Sequence, residues 1–304
     1  MNKIEDFKVI LEVCSADPYK FFLVNPIKEV LIRCHPDKWP GEEDRAKHYF
    51  QEFSRLHDES SEIVGLYRVA SKLGRGDVSD VYKMEKDNVY YVLKKPYVKA
   101  GMLLKKESSF KETFDKFTHP YDKLVPKFIE SFDGNYVYNW LPDLISGSEV
   151  IAQYKDLDTR HIVWMTKRAL MVLGAVHSAG LVNGAITPDH LLFGKKNHGA
   201  LLTGWIHSGK IGENIGTVPS KWKHYYPKFA VKDKKLSPEL DIYMLGRTML
   251  DIGGRNMHVR FKKFFESLTY EAKTMISNDC FSLHEEVDNV SKMVFGARKF
   301  VELA

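Results

Sequence analysis

Cysteine is scarce in this chain of 304 residues, with Cys14, Cys34 and Cys280 as its three thiols. They have neither the spacing of a metal knuckle nor the even count of a disulfide framework, which points to a reducing compartment. Long apolar runs are missing too. No stretch approaches the roughly 18 apolar residues that a bilayer span needs. The opening Met1-Asn-Lys-Ile-Glu-Asp6 lacks the basic and then apolar regions of a secretory leader, so a cytoplasmic protein is expected. No block of one charge stands out. The formal charge of +5 is scattered over lysine pairs at 94–95, 105–106, 195–196 and 262–263, a pattern of solvated surface. Nucleic acid and membrane are therefore not expected partners. Internal repeats and low-complexity stretches are also absent.

What remains is an ordinary globular composition, 44% hydrophobic and 28% charged, with room for one large domain and a small one. In the first sixty residues, Asn25-Pro26 reads as a helix start. Ile27, Val30, Leu31 and Cys34 follow at helical spacing on one face, with Lys28 and Arg33 off it. His35-Pro-Asp-Lys-Trp-Pro-Gly41 is a loop by its proline and glycine content. A second helix carries Ala46, Phe50, Phe53 and Leu56 on its inner stripe.

This segment resembles the J-domains of DnaJ-type co-chaperones. The resemblance rests on Arg33-Cys-His35-Pro36-Asp37-Lys38, on Pro40-Gly41, on Ala46 to Phe50, and on an upstream Asp17-Pro18-Tyr19. It implies docking on a DnaK-type heat-shock ATPase through Lys28, Arg33, His35, Pro36 and Asp37, with the tripeptide stimulating ATP hydrolysis. The span from Val24 to His35 is about six residues shorter than the family pattern, so the basic helix is truncated by more than a turn. Without the family, His35-Pro36-Asp37 is simply a capped turn. Residues 58–66 read as a short connector.

From residue 67 onward the chain resembles a protein kinase whose chemistry has been removed. Gly74-Arg-Gly76-Asp-Val-Ser79-Asp-Val81, between two strands, is similar to the glycine-rich loop G-x-G-x-x-G-x-V. Tyr91-Val92-Leu93-Lys94 stands where V-A-I-K stands. That resemblance implies that Gly74, Gly76, Val81 and Lys94 face a nucleotide, and that Lys94 pairs with a helix glutamate, Glu107 or, next, Glu112. A surface lysine is the alternative for Lys94. Trp140 belongs either to a nucleotide-holding hinge or to the core. Residues 158–179 form a helix with Ile162, Met165, Ala169, Val172, Leu173 and Val176 inward.

Leu181-Val-Asn-Gly-Ala-Ile-Thr-Pro-Asp-His-Leu-Leu-Phe193 and Leu201-Leu-Thr-Gly-Trp-Ile206 keep the apolar frame of the catalytic loop and D-F-G segment. The charged positions are gone. Asn183 and Gly184 replace His-Arg, Ala185 the general base, Thr187 the lysine, His190 the magnesium-binding asparagine and Gly204 the D-F-G aspartate. Trp205 takes the phenylalanine position and is expected to plug the interior. Asp241, in Pro238-Glu-Leu-Asp-Ile-Tyr-Met-Leu-Gly246, matches the aspartate that caps the loop backbone. Trp222, Tyr225, Tyr226 and Phe229, with Lys232, Lys234 and Lys235, form either an aromatic and basic partner surface or core packing. Final helices are expected over 261–268 and 287–300.

The expected fold class is α+β: a helical J-like module over 1–60, then a bilobal kinase-like domain over 67–304 with a β-rich small lobe. Losing base and metal ligands together implies a pseudokinase and not an enzyme. The expected partners are a DnaK-type chaperone and a client or regulatory protein on the large lobe. ATP is the one cofactor suggested, held weakly and without metal. A divergent phosphoryl or nucleotidyl transferase is one alternative, and an interaction module that has lost both activities is another.

Overall fold

The computed structural model describes residues 4–16, 18, 21, 25, 27–61, 63–97, 100–297 and 299–303. Asp17, Tyr19 and Pro26, which carry two of the sequence expectations, lie outside the described residues. The chain mixes helix and sheet and folds as two compact units. One comprises Met1–Gly74 and Val81–Leu93, the other Arg75–Asp80 and Lys94–Ala304.

The first unit opens with helices α1 (Asp6–Ala16), α2 (Ile27–Arg33) and α3 (Glu43–Ser61), with a 3-10 turn over Pro36–Lys38 between the last two. Of the expected apolar stripes, Val30 and Cys34, and Ala46, Phe53 and Leu56 on α3, are buried with Phe7, Cys14 and Tyr49, while Ile27, Leu31 and Phe50 are half-buried. Phe53 anchors this small core, with the Phe7 ring 6.4 Å and the Phe21 ring 6.2 Å away. Burial pushes the thiols of Cys14 and Cys34 up to about 11, so both stay protonated near neutrality. Lys28 and Arg33 are exposed.

Four strands follow: β1 (Ile63–Val64), β2 (Tyr67–Arg75), β3 (Ser79–Lys86) and β4 (Val89–Pro96), each hydrogen-bonded to the next in chain order. The β3–β4 turn is made by Asp87 and Asn88, both left-handed at φ 52° and 61°. Asp and Asn tolerate that region because their short side chains bond locally. Lys83 lies over the Tyr90 ring at 3.7 Å.

In the second unit, α4 (Gly101–Ser109) and α5 (Lys111–Phe114) precede the antiparallel hairpin β5 (Phe128–Phe132) and β6 (Asn135–Asn139). Strand β7 (Leu144–Ser146) runs into α6 (Gly147–Gln153) through a capping box in which Ser146 and Glu149 satisfy one another's N–H groups. Helix α7 (Thr159–Ser178) is the centre of the core. The six residues expected to face inward are all buried, together with Trp164 and Leu170. Then come β8 (Leu181–Val182), β9 (Leu191–Gly194), β10 (Ala200–Leu202) and β11 (Gly209–Lys210). Strand β9 lies between β7 and β10, and β11 pairs with β8. Helices α8 (Lys228–Asp233), α9 (Pro238–Gly253), α10 (Val259–Ser267) and α11 (Cys280–Phe295) complete the chain.

The last helix departs from expectation, beginning seven residues earlier and stopping five short of 300. Asp279 starts it by accepting from the N–H groups of Phe281 (2.9 Å) and Ser282 (3.1 Å). Among the described residues no helix is long and apolar enough to cross a membrane.

Candidate functional site

The residues singled out by the kinase resemblance divide between the units. Gly74 and Val81 lie half-buried on β2 and β3 of the first unit. The remaining ones belong to the second unit, where Asp241 organises the 183–190 loop. Asp241 sits on α9 with no exposed surface. Its carboxylate accepts from the N–H of Asn183 at 2.9 Å and of Gly184 at 2.7 Å, and it bonds His177 Nε2 at 2.9 Å. A buried carboxylate needs such donors, and the loop's buried N–H groups need an acceptor.

Asn183 ties the next layer. Its Nδ2 donates to Thr203 O at 3.1 Å, and its Oδ1 accepts from Ala185 N at 3.1 Å. Ser208 Oγ donates to Asn183 O at 3.0 Å. The aromatic segment after Gly209 turns inward as well. Tyr226 OH donates to Gly184 O at 2.5 Å, Trp222 Nε1 donates to Asp189 at 2.7 Å, and Tyr225 is fully buried. Of the expected aromatic and basic surface, only Lys232, Lys234 and Lys235 stand exposed.

At the centre are the replaced positions. Ala185 is buried and offers only its carbonyl, which accepts from His190 Nδ1 at 2.8 Å. A carbonyl cannot donate, so Nδ1 carries the proton and the ring is the Nδ1–H tautomer. Burial pushes the His190 pKa below its ordinary value, which keeps the ring neutral. Gly204 has φ 79°, and a Cβ there would lie 2.5 Å from His190 Nδ1. The imidazole thus occupies the space a side chain at 204 would need. The ring of His207 lies 5.7 Å from that of His190, and its Nδ1 is 2.9 Å from Thr217 Oγ1. Burial, and then the neighbouring His190, push the His207 pKa down to about 4.

Lys94 forms an ion pair with Glu107, and Glu112 is exposed. Lys94 Nζ also lies 5.0 Å from the Tyr138 ring centroid. Glu107 Oε2 and Tyr138 OH are buried without hydrogen-bond partners, and burial, then the Glu107 charge, push the Tyr138 phenol up. Thr187 Oγ1 is similarly unpartnered. In the 76–80 loop, Gly76 N–H donates to Ser79 O at 2.9 Å, and Ser220 N–H donates to Asp77 Oδ2 at 3.0 Å. Trp205 has no exposed surface. It packs on Phe114 at 4.6 Å and Phe110 at 6.3 Å, while its Nε1 donates to Leu202 O at 2.8 Å.

No family model and no curated protein matches the chain.

The chemistry of this site follows from its donor set. Magnesium takes hard oxygen ligands in octahedral geometry, and positions 185, 190 and 204 offer a methyl group, an engaged imidazole and no side chain. Among the described residues no three His, Cys, Asp or Glu side chains are grouped to hold a metal. These residues do not fit a magnesium ion. Asp189, the nearest acid in sequence, is engaged by Ser148 Oγ, Lys221 Nζ (3.0 Å) and Trp222 Nε1. Burial alone would raise its pKa, but those bonds outweigh it and the net shift is downward, so Asp189 is a carboxylate fixed in a structural knot. Sequence reading missed the stack of His190 in Gly204's space. Its one signal was that both replacements occur together.

In the first unit, the residues linked to chaperone docking form an exposed turn. The side chains of His35 and Asp37 are 47% and 87% exposed. His35 Nδ1 accepts from Asp37 N–H at 3.3 Å and its ring stands edge-on to Phe50 at 5.7 Å. Trp39 Nε1 donates to Arg33 O at 3.0 Å, tying the turn to the end of α2. What sequence reasoning missed is that Trp39 and Phe50, both in expected elements, hold the tripeptide without being part of it.

Proposed function

We propose that the chain is a non-catalytic pseudokinase scaffold whose J-like N-terminal module recruits a DnaK-type chaperone ATPase. The observation that carries the first half is the pairing of a retained frame with occupied chemistry. Asp241 holds the Asn183-Gly184 backbone as a capping aspartate would, while the neutral His190 ring, bonded to Ala185 O, fills the space beside Gly204. Nothing at those three positions accepts a substrate proton or ligates magnesium, the two requirements of phosphoryl transfer. The Lys94–Glu107 ion pair fits the same bilobal kinase-like reading.

The J-like half draws support from the exposure of His35 and Asp37 on a turn fixed by Trp39 and Phe50. The imidazole caps the turn, and on this reading the exposed His35 and Asp37 side chains are also within reach of a partner. The seven-residue α2 leaves Lys28 and Arg33 as the basic flank. On this reading the two divisions of the sequence, 1–60 and 67–304, are a recruiter and a platform for a client or regulatory protein. A divergent transferase needs a base and a metal site that the donor set lacks. A module that has lost both ancestral activities differs only in the chaperone assay.

That assay is single-turnover ATP hydrolysis by a DnaK-type protein of the same cell. The full chain accelerates it, and His35→Gln abolishes the acceleration while leaving the fold intact by circular dichroism. Absence of stimulation with every such chaperone leaves the interaction module as the reading. Phosphate transfer that survives purification and vanishes with Lys94→Met overturns the pseudokinase half independently.

A further inference from the structure

The described residues of the second unit hold a concave site that includes no part of the 183–205 segment beyond His198. It encloses about 620 Å³ between α7, α11 and the residues after Phe295, within the roughly 300–1,000 Å³ of small-molecule sites. Three rings form its aromatic wall. Trp164 stacks on His198 at 4.2 Å and 7°, and His198 stacks on Phe300 at 4.1 Å and 20°. Phe300 is 60% exposed although it ends this pile. The pile therefore ends in an open aromatic ring on which another planar group can stack.

The rim is basic. Lys167 is neutralised by Asp288 at 2.5 Å, and Arg160 by Asp158 at 2.6 Å. Arg168 is different. It is half-buried and held in place, its Nε donating to His198 O at 3.0 Å and its Nη1 to Met171 Sδ at 3.5 Å, and it has no carboxylate partner among the described residues. Lys299, also lining the site, has none among them either. A half-buried guanidinium without a carboxylate partner has donors to offer, and its planar fork suits a carboxylate or phosphate.

We infer that this groove binds a small planar aromatic molecule bearing a phosphate, of the nucleoside monophosphate class, with the ring stacked on the Trp164–His198–Phe300 pile and the phosphate on Arg168 and Lys299. Ring and anion are each weak alone. Stacking is tolerant of the base, and a half-exposed guanidinium holds free phosphate poorly. The two elements on one wall make the recognition joint. The site is separate from Lys94 and does not depend on any nucleotide binding there.

Isothermal titration of the full chain with AMP, adenosine and inorganic phosphate tests this. AMP binds with a Kd below ~1 mM, and adenosine and phosphate each bind at least ~10-fold more weakly. Phe300→Ala and Arg168→Gln each weaken AMP by about tenfold, whereas Lys94→Met changes nothing. If Arg168→Gln fails to fold by circular dichroism, Phe300→Ala, at an exposed ring, decides alone. No AMP binding at about 5 mM, adenosine binding as tightly as AMP, binding indifferent to Phe300→Ala, or binding lost with Lys94→Met each overturns the proposal.

Discussion

His190 and Gly204 are two replacements that explain one another. The ring at 190 needs the volume that the missing side chain at 204 vacates, and glycine takes the φ of 79° at 204 without strain. An acid at 204 is therefore predicted to damage the fold. Gly204→Asp combines left-handed strain with a clash against His190, together about 2–4 kcal/mol. Adding His190→Ala removes the clash and leaves only the small strain of an aspartate in the left-handed region, under about 1 kcal/mol. Urea unfolding of both variants checks this, and a Gly204→Asp protein as stable as the parent refutes the packing account. His207 makes a second prediction. Its folded pKa is about 4 against an ordinary 6.5, so the unfolded chain takes up the proton first as pH falls. The stabilising effect of the neutral ring is complete above pH 6.5 and is lost progressively toward pH 4, reaching at most about 3 kcal/mol. His190, shifted in the same direction, acts with the same sign. His207→Gln, which keeps a group able to bond Thr217, is expected to flatten the stability profile between pH 7 and 4. A profile unchanged by the variant means that the buried imidazole is not the cause.

Among the elements, the helices with a strong local period were legible in sequence. The α7 stripe and the inner faces of α2 and α3 follow from spacing alone, since an apolar face must find a core. The boundaries of α11 were not, because its start depends on the Asp279 cap and not on apolar period. The 183–190 loop was singled out in the sequence, and its residues do gather around Asp241. The contacts that complete it join positions far apart in the chain, such as Asp241 with His177 or Tyr226 with Gly184, and spacing carries no sign of them. Trp205 lies between these cases. Its burial was expected, but its partners Phe110 and Phe114 were not. Helix α5 has four residues, too few to hold without tertiary support, and Trp205 supplies that support. Trp205→Ala is expected to cost about 3–5 kcal/mol and to deprotect amides of residues 110–117 in hydrogen exchange. Trp205→Phe retains ring packing but leaves the Leu202 carbonyl without its donor, so most of that protection persists. Equal exchange in the two variants rules out a packing role.

At the scale of the whole molecule, the remaining matter is whether the protein binds nucleotide through Lys94. A triphosphate carries several negative charges that a bound magnesium normally offsets. Among the described residues no three His, Cys, Asp or Glu side chains are grouped to hold that ion. Lys94 is already engaged by Glu107 and the Tyr138 ring, and Gly76 N–H is spent on Ser79 O. Asp77 and Asp80 add negative charge in the same short loop, where phosphate would require positive. What favours binding is Lys94 itself, a point charge that can hold a phosphate. The expected outcome is ATP binding no tighter than ~10 μM and as weak as ~1 mM, or about 4–7 kcal/mol, with little change on adding magnesium. Thermal-shift titration with ATP, with and without magnesium, measures it. Lys94→Met separates this site from the aromatic groove, because it removes Lys94-dependent binding and leaves any contribution of Phe300 and Arg168 in place. Sub-micromolar affinity that requires magnesium and disappears with Lys94→Met contradicts the donor-set reading, since some other oxygen ligand would then have to hold the metal.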